Sequence, residues 1–165
     1  MECVVTKEIL WVDDDAPDRF EFESEMIRRN GWKLEFATDI LQGAAMLRQN
    51  RYDIVLLDQE MAGSGVASAN AVRAGYRLLC WLRGTKVDAE IDSEEAWLPL
   101  HGDSGPLEIN RKVPVAFISA YAEDELIRKD ASADQFKPLR FLCKPISWNE
   151  LFSYLRKETH AEEAV

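Results

Sequence analysis

The stretch Tyr52-Asp53-Ile54-Val55-Leu56-Leu57-Asp58 (YDIVLLD) is a continuous apolar run set between two aspartates. It is too short for a helix and is rich in β-branched and large aliphatic side chains, so Asp53 to Leu57 reads as a strand. A strand apolar on both faces belongs in the middle of a parallel sheet covered on both sides. Working outward, Glu8 to Val12 is a second buried strand, and Pro114 to Ser119 and Leu139 to Cys143 are two more. Lys33 to Ala37 is shorter in apolar content and fits the edge of the sheet.

Helical periods fill the intervals. Pro17 to Arg29 carries Phe20, Met26 and Ile27 on one side, with Pro17 suited to the first turn and Gly31 to the exit. Asp39 to Gln49 starts on a candidate N-cap, Asp39, and lines up Ile40, Ala44 and Leu47. Gly75 to Arg83 repeats through Leu78, Leu79 and Leu82, and Glu123 to Asp130 is a short helix. Ser147 to Glu158 opens with Ser147 and Glu150 spaced as a capping box. Five strands each followed by a helix predict an α/β, doubly wound, five-stranded parallel sheet of order 2-1-3-4-5, with helices on both faces.

Two stretches break this rhythm. Met61 to Ala74 is rich in Gly, Ala and Ser, and Thr85 to Lys112 is irregular and acidic. Loops of that length inside one domain are commonly functional or disordered. The apolar cluster Trp97-Leu98-Pro99-Leu100 fits either an anchor for another protein or a cover for the core, and covering is the commoner use of such residues. His101 and His160 have no second His or Cys nearby and read as surface residues, and the tail from Thr159 is expected to fray. Trp11, Trp32, Trp81 and Trp148 read as packing residues.

The 165 residues suit one domain, and a 47% hydrophobic content is enough to build its core. The formal net charge of −10 opposes direct binding to nucleic acid or to anionic lipid. Cys3, Cys80 and Cys143 are too far apart for a zinc knuckle or a disulfide framework and read as reduced thiols. Met1 to Lys7 holds no signal-peptide core, and no apolar run is long enough to insert into a membrane, so a cytoplasmic location is expected.

In an open parallel sheet, ligands gather at the carboxyl ends of the strands. There the sequence delivers Asp13, Asp14 and Asp15 after the first strand, Asp58, Gln59 and Glu60 after the third, Ser119 at the end of the fourth, and Lys144-Pro145 after the fifth. Any one of these is an ordinary strand-end residue; the set is specific. Carboxylates about 4 Å apart repel by roughly 4 kcal/mol at an effective dielectric near 20. Convergence of Asp13, Asp14 and Asp58 therefore calls for raised pKa values or a cation, and hard oxygens suit magnesium. An ionised aspartate needs no base to attack phosphorus, so what remains is to neutralise the phosphoryl oxygens. A magnesium ion, the Lys144 ammonium and the Ser119 hydroxyl could do so. Trp11 stands two residues before Asp13 on the same strand face, so its fluorescence is expected to respond to magnesium.

These four stretches resemble the receiver domain of two-component response regulators. Ile9-Leu10-Trp11-Val12-Asp13-Asp14-Asp15 is similar to that family's first strand and acid pair, and Tyr52 to Asp58 to its third strand and phosphoacceptor. Val115-Ala116-Phe117-Ile118-Ser119-Ala120 is similar to its fourth strand and hydroxyl switch, and Phe141-Leu142-Cys143-Lys144-Pro145-Ile146 to its fifth. The resemblance implies a flavodoxin-like fold and Asp58 as the phosphorylated residue. It also implies Asp13, Asp14, Asp58 and the backbone carbonyl of Glu60 as magnesium ligands. Ser119 and Lys144 would contact the phosphoryl group, with Ser119 and Phe141 as the switch pair and a cis Lys144-Pro145 peptide. It implies a sensor histidine kinase or histidine phosphotransfer protein as donor and a protein partner or homodimer as readout. No enzymatic activity is implied beyond the domain's own phosphorylation and slow dephosphorylation.

The resemblance covers Glu8 to Lys157, with insertions at about 64–74 and 85–112, in a chain expected to be a single receiver domain over 1–165. Where the family has Met-Pro, this chain has Met61-Ala62. That departure leaves a second reading open, a pseudo-receiver that binds a protein without using phosphate. A third is an aspartyl-phosphate phosphatase with Asp13 as nucleophile and Asp15 as its partner acid.

Overall fold

The structure, a computed structural model, describes residues 6–61, 73–86, 105–120, 129 and 133–160. Its strands are β1 (Glu8–Val12), β2 (Lys33–Ala37), β3 (Ile54–Asp58), β4 (Val115–Ser119) and β5 (Leu139–Cys143). They form one parallel sheet of order β2-β1-β3-β4-β5, as expected, with β2 at an edge. The YDIVLLD strand sits centrally and is buried along its whole length. It starts one residue later than predicted and takes Asp58 into the ladder, opposite Ile118 of β4. Asp53, left outside, accepts a hydrogen bond from the Glu8 amide on its carboxylate (2.8 Å).

Alternation along the strands sends side chains into two separate apolar layers. Ile9, Trp11, Ile54, Leu56, Ala116, Ile118 and Leu142 face α1 (Ala16–Arg19), α2 (Glu21–Arg29) and α5 (Trp148–His160). Leu10, Val12, Val55, Leu57, Val115 and Phe117 face α3 (Ile40–Gln49) and α4 (Ala74–Arg83). Asp39 caps α3 as predicted, its carboxylate accepting from the Gln42 amide (2.8 Å). The Gln42 side chain returns a bond by accepting from the Thr38 amide (2.8 Å). Gly31 leaves α2 at φ +83°, a conformation that suits glycine.

Several expectations need correction. The helix predicted over Pro17–Arg29 is two helices, because the chain breaks at Phe20 (φ −115°, ψ +40°) and restarts at Glu21. The last helix runs on to His160, past the residue where fraying was expected. The irregular stretch 85–112 is partly built into the fold. Its last residues form a 3₁₀ turn, Glu108–Lys112, whose Asn110 is fully buried. The Asn110 amide group donates to the carbonyls of Leu47 (2.8 Å) and Asn50 (2.7 Å), and its oxygen accepts from the Tyr52 amide (3.1 Å). Residues 62–72 and 87–104, with Trp97 and His101, lie outside the described residues, as do Cys3, 121–128, 130–132 and 161–165. The helix expected at Glu123–Asp130 is thus described only at Lys129, which is helical. Cys80 is buried and Cys143 exposed.

Candidate functional site: an acid cluster with a half-buried lysine

Parallel strands present their carboxyl ends at one rim, so β1, β3, β4 and β5 each contribute to the same site. Asp13 leaves β1 fully buried, its amide bonded to the Ala37 carbonyl (2.9 Å) and its carboxylate accepting from the Asp15 amide (2.9 Å). Asp58 is 3% exposed at the end of β3. Asp13, Asp14 and Asp58 converge so that one carboxylate oxygen from each lies within 4.8 Å of the others. Asp15 does not join them; it turns outward and pairs with Arg19 (3.0 Å).

Lys144 reaches in from the end of β5. Its ammonium lies 2.9 Å from Asp58 Oδ2 and 3.3 Å from Asp13 Oδ2, with the side chain 17% exposed. The Lys144-Pro145 peptide is cis, as the resemblance implied; Lys137-Pro138, for which no expectation was made, is cis too. The Lys144 amide donates to the Ser119 carbonyl (2.9 Å), tying the ends of β4 and β5 together. Ser119 is buried one residue beyond Ile118, the register partner of Asp58. Phe141 packs against Phe117 (ring centroids 5.7 Å), two residues before Ser119 on β4 and so on the same face.

The electrostatics are unbalanced toward negative charge. Burial, then the neighbouring Asp13, pushes the Asp58 carboxyl up from 3.8 to about 7, against the opposing pull of Lys144 and of the Glu60 amide bonded to it. For Lys144, burial works to lower its pKa, but Asp58 and Asp13 outweigh it and the net shift is upward, so the lysine stays charged at neutral pH. Burial also raises Glu60, whose Oε1 is buried without a hydrogen-bond partner among the described residues. Three converging carboxylates against one ammonium, with one acid pushed toward neutrality, fit a divalent cation of hard-oxygen preference.

A stability prediction follows from the raised Asp58. Between about pH 4 and 7 the folded, metal-free chain holds a proton on Asp58 that the unfolded chain has released. The stability this gives is therefore lost as pH rises through 7. Asp58→Asn removes the penalty and is expected to stabilise the metal-free protein by about 2 kcal/mol at pH 8. That is less than the roughly 4 kcal/mol of three pH units, because Lys144 loses a partner. At pH 5 the gain should vanish. Urea unfolding in chelator at the two pH values measures it, and an equal gain at both would refute it.

No protein-family model and no curated protein matches the chain. Solved structures do. The Francisella response regulator 1452 receiver domain superposes with a TM-score of 0.62 at 21% identity, over 93% of this chain and 96% of that one. A CheY-like response regulator receiver domain protein from Methanospirillum hungatei JF-1 gives 0.62 at 18% identity, over 97% and 99%. A two-component response regulator from Clostridium difficile gives 0.65 at 14%, over 96% and 100%. The chain has the receiver-domain fold. Within that fold Asp13, Asp14, Asp58, Ser119 and Lys144 all stand at the rim of one parallel sheet, where the sequence set them.

One residue of this site escaped the sequence. Gly75, in the first turn of α4, donates its amide to the Gln59 carbonyl (3.2 Å). It lies so close to the end of β3 that a Cβ there would overlap the Asp58 carbonyl oxygen and stand 2.9 Å from the Asp58 carbonyl carbon and Gln59 Cα. The signal was present: a glycine at the start of a predicted helix, after the Gly-, Ala- and Ser-rich stretch that follows the key aspartate.

Proposed function

We propose that this protein is a phosphoacceptor receiver in a two-component phosphorelay. Asp58 takes the phosphoryl group from a phosphohistidine of a sensor histidine kinase or a histidine phosphotransfer protein. The observation that carries this is the buried Asp58 carboxylate held in contact with Lys144 inside a three-acid cluster. In the transfer, an Asp58 oxygen forms the new bond to phosphorus as the bond to the donor imidazole nitrogen breaks, and the freed imidazole keeps that electron pair. Asp13, Asp14, Asp58 and the Glu60 carbonyl would hold magnesium, which when bound neutralises charge on the phosphoryl oxygens. Lys144 supplies a further positive charge from a site already organised, and Ser119 a hydroxyl donor.

The readout is a change of surface. Phosphorylation draws Ser119 toward the new oxygens, and Phe141, packed beside the same strand, follows into the space released. The surface so altered serves a protein partner or a homodimer contact. The acidic charge argues against nucleic acid as the target. Among the described residues no helix is long and apolar enough to cross a membrane, and a cytoplasmic setting accords with the proposed donors. The protein does not turn over an external substrate in this reading; it catalyses only its own phosphorylation and slow dephosphorylation.

The test is incubation with magnesium and acetyl phosphate, followed by intact mass and mapping of the adduct. A single phosphate on Asp58, lost with chelator and absent from Asp58→Asn, is expected. A protein that stays unmodified is a pseudo-receiver that binds partners without phosphate. Multiple turnover dependent on Asp13 identifies a phosphatase instead.

A further inference from the structure

The break between α1 and α2 puts an aromatic ring beneath the active lysine. A helix continuous over Pro17–Arg29 would have been the simpler outcome of the local sequence, yet it stops at Phe20. Backbone hydrogen bonding carries on through the break, the Phe20 amide donating to the Ala16 carbonyl (3.1 Å) and the Phe20 carbonyl accepting from the Ser24 amide (2.9 Å); the Ser24 hydroxyl is a second donor to that carbonyl (2.6 Å). The Phe20 ring, 8% exposed, lies under the Lys144 ammonium, with Nζ 5.9 Å from the ring centroid. On the core side the same ring stacks on Trp11, at 5.0 Å between centroids and 24° between planes. Trp11 is wholly buried and touches Phe36 in turn (6.0 Å).

The Phe20 ring therefore contacts both the lysine of the acid cluster and a tryptophan of the core. A flexible four-carbon stem needs such support, because its ammonium is a point charge with freely rotating donors. The two carboxylates attract it from one side, at 2.9 and 3.3 Å. The ring face attracts it without a directional hydrogen bond, so the ammonium can turn toward new oxygens without breaking one. Trp11, stacked on the ring, restrains its tilt.

We propose that Phe20 is a positioning residue for Lys144, its π face holding the ammonium over the carboxylates in the pose from which it meets the phosphoryl group. The effect on rate rests on the reading of Asp58 as acceptor; the effect on Lys144 itself does not.

The experiment uses the full chain, wild type against Phe20→Leu and Phe20→Tyr, with urea unfolding to confirm that each is folded. In metal-free protein labelled with ¹³C-lysine, the Lys144 ε-methylene resonance, assigned by its loss in Lys144→Arg, reports the ring current of Phe20. It is expected upfield of exposed lysines in wild type and Phe20→Tyr, and shifted downfield in Phe20→Leu. The acetyl phosphate reaction is expected to slow about fivefold in Phe20→Leu and to recover in Phe20→Tyr. A Lys144 resonance unmoved by Phe20→Leu overturns the proposal. So does a moved resonance with an unchanged rate, or a folded Phe20→Tyr that fails to restore either readout. If wild type takes up no phosphate, the acceptor reading fails, and the resonance by itself decides whether Phe20 positions Lys144.

Discussion

Gly75→Ala slows the modification of Asp58 by acetyl phosphate about a hundredfold while the chain remains folded. The added methyl would overlap the carbonyl of Asp58 itself, and its other near contacts, 2.9 Å away, are also backbone atoms. Backbone cannot rotate aside as the tip of a side chain can, so either α4 retreats or the end of β3 shifts. Retreat is opposed by the burial of Ala74 through Cys80 and of Leu82, which clamp α4 on several sides. The end of β3 is held less broadly, by the Gln59 amide on the Ile118 carbonyl (3.0 Å) and by the Gly75–Gln59 bond that the methyl would itself strain. The shift therefore falls largely on Asp58. A displacement near 1 Å at a reacting group costs about 10²-fold in rate, and overpacking costs about 1–3 kcal/mol in stability. Time-resolved intact mass gives the first quantity and urea unfolding the second. A Gly75→Ala protein that is modified at the wild-type rate would show that α4 yields instead.

Arg83→Met destabilises the protein by about 3–5 kcal/mol, read as a lower urea midpoint at unchanged slope. Arg83, in the last turn of α4, is a hub for backbone carbonyls. Its Nε donates to Phe136 (3.1 Å), its Nη1 to Arg111 (2.8 Å), and its Nη2 to Val113 (2.7 Å) and Pro138 (3.1 Å). These carbonyls belong to the run-in to β4 and to β5, so one side chain holds the starts of two strands against the end of a helix. Burial brings the guanidinium down to about 10, still charged at neutral pH. A buried ion pair can often be replaced by apolar residues at little cost, because both partners go. Here the partners are carbonyls that no substitution removes, and methionine takes a donor from each, although Pro138 keeps the Val115 amide (3.1 Å). Arg83→Lys should recover less than half the loss, since one ammonium cannot span four acceptors in the plane of a guanidinium. A loss below about 1 kcal/mol for Arg83→Met would mean that water takes over these carbonyls.

Both residues were visible in the sequence, and neither role was. Gly75 and Arg83 appeared as the ends of a predicted helix, and Asn110 as part of an irregular acidic stretch. Their partners are distant: Asn110 bonds chain 58 to 63 residues away, and Arg83 chain 28 to 55 residues away. No local period or turn rule records such a choice. Phe20 is a harder case. The helical period across Pro17–Arg29 is real, yet the chain leaves it at Phe20, whose ring stacks on Trp11 and lies 5.9 Å from the Lys144 ammonium. Contacts between separate elements overrode a weak local preference.

What the sequence determined by itself was everything that depends on short-range pattern. The apolar run from Ile54 to Leu57, the alternation of strands with helical periods, and the right-handed rule for crossovers left few topologies, with 2-1-3-4-5 the natural candidate. That order in turn sent Asp13, Asp58, Ser119 and Lys144 to a common rim, because parallel strands all end on the same side. Only the tertiary structure decided the distances at that rim and the supports beneath it. It turned Asp15 out toward Arg19, set the distance of Lys144 from Phe20, and fixed the close approach of Gly75 to Asp58. The reason is physical. Hydrophobic periodicity is repeated along the chain and survives one misread residue, whereas the packing of one ring or one methyl group is settled by atoms that meet only after folding.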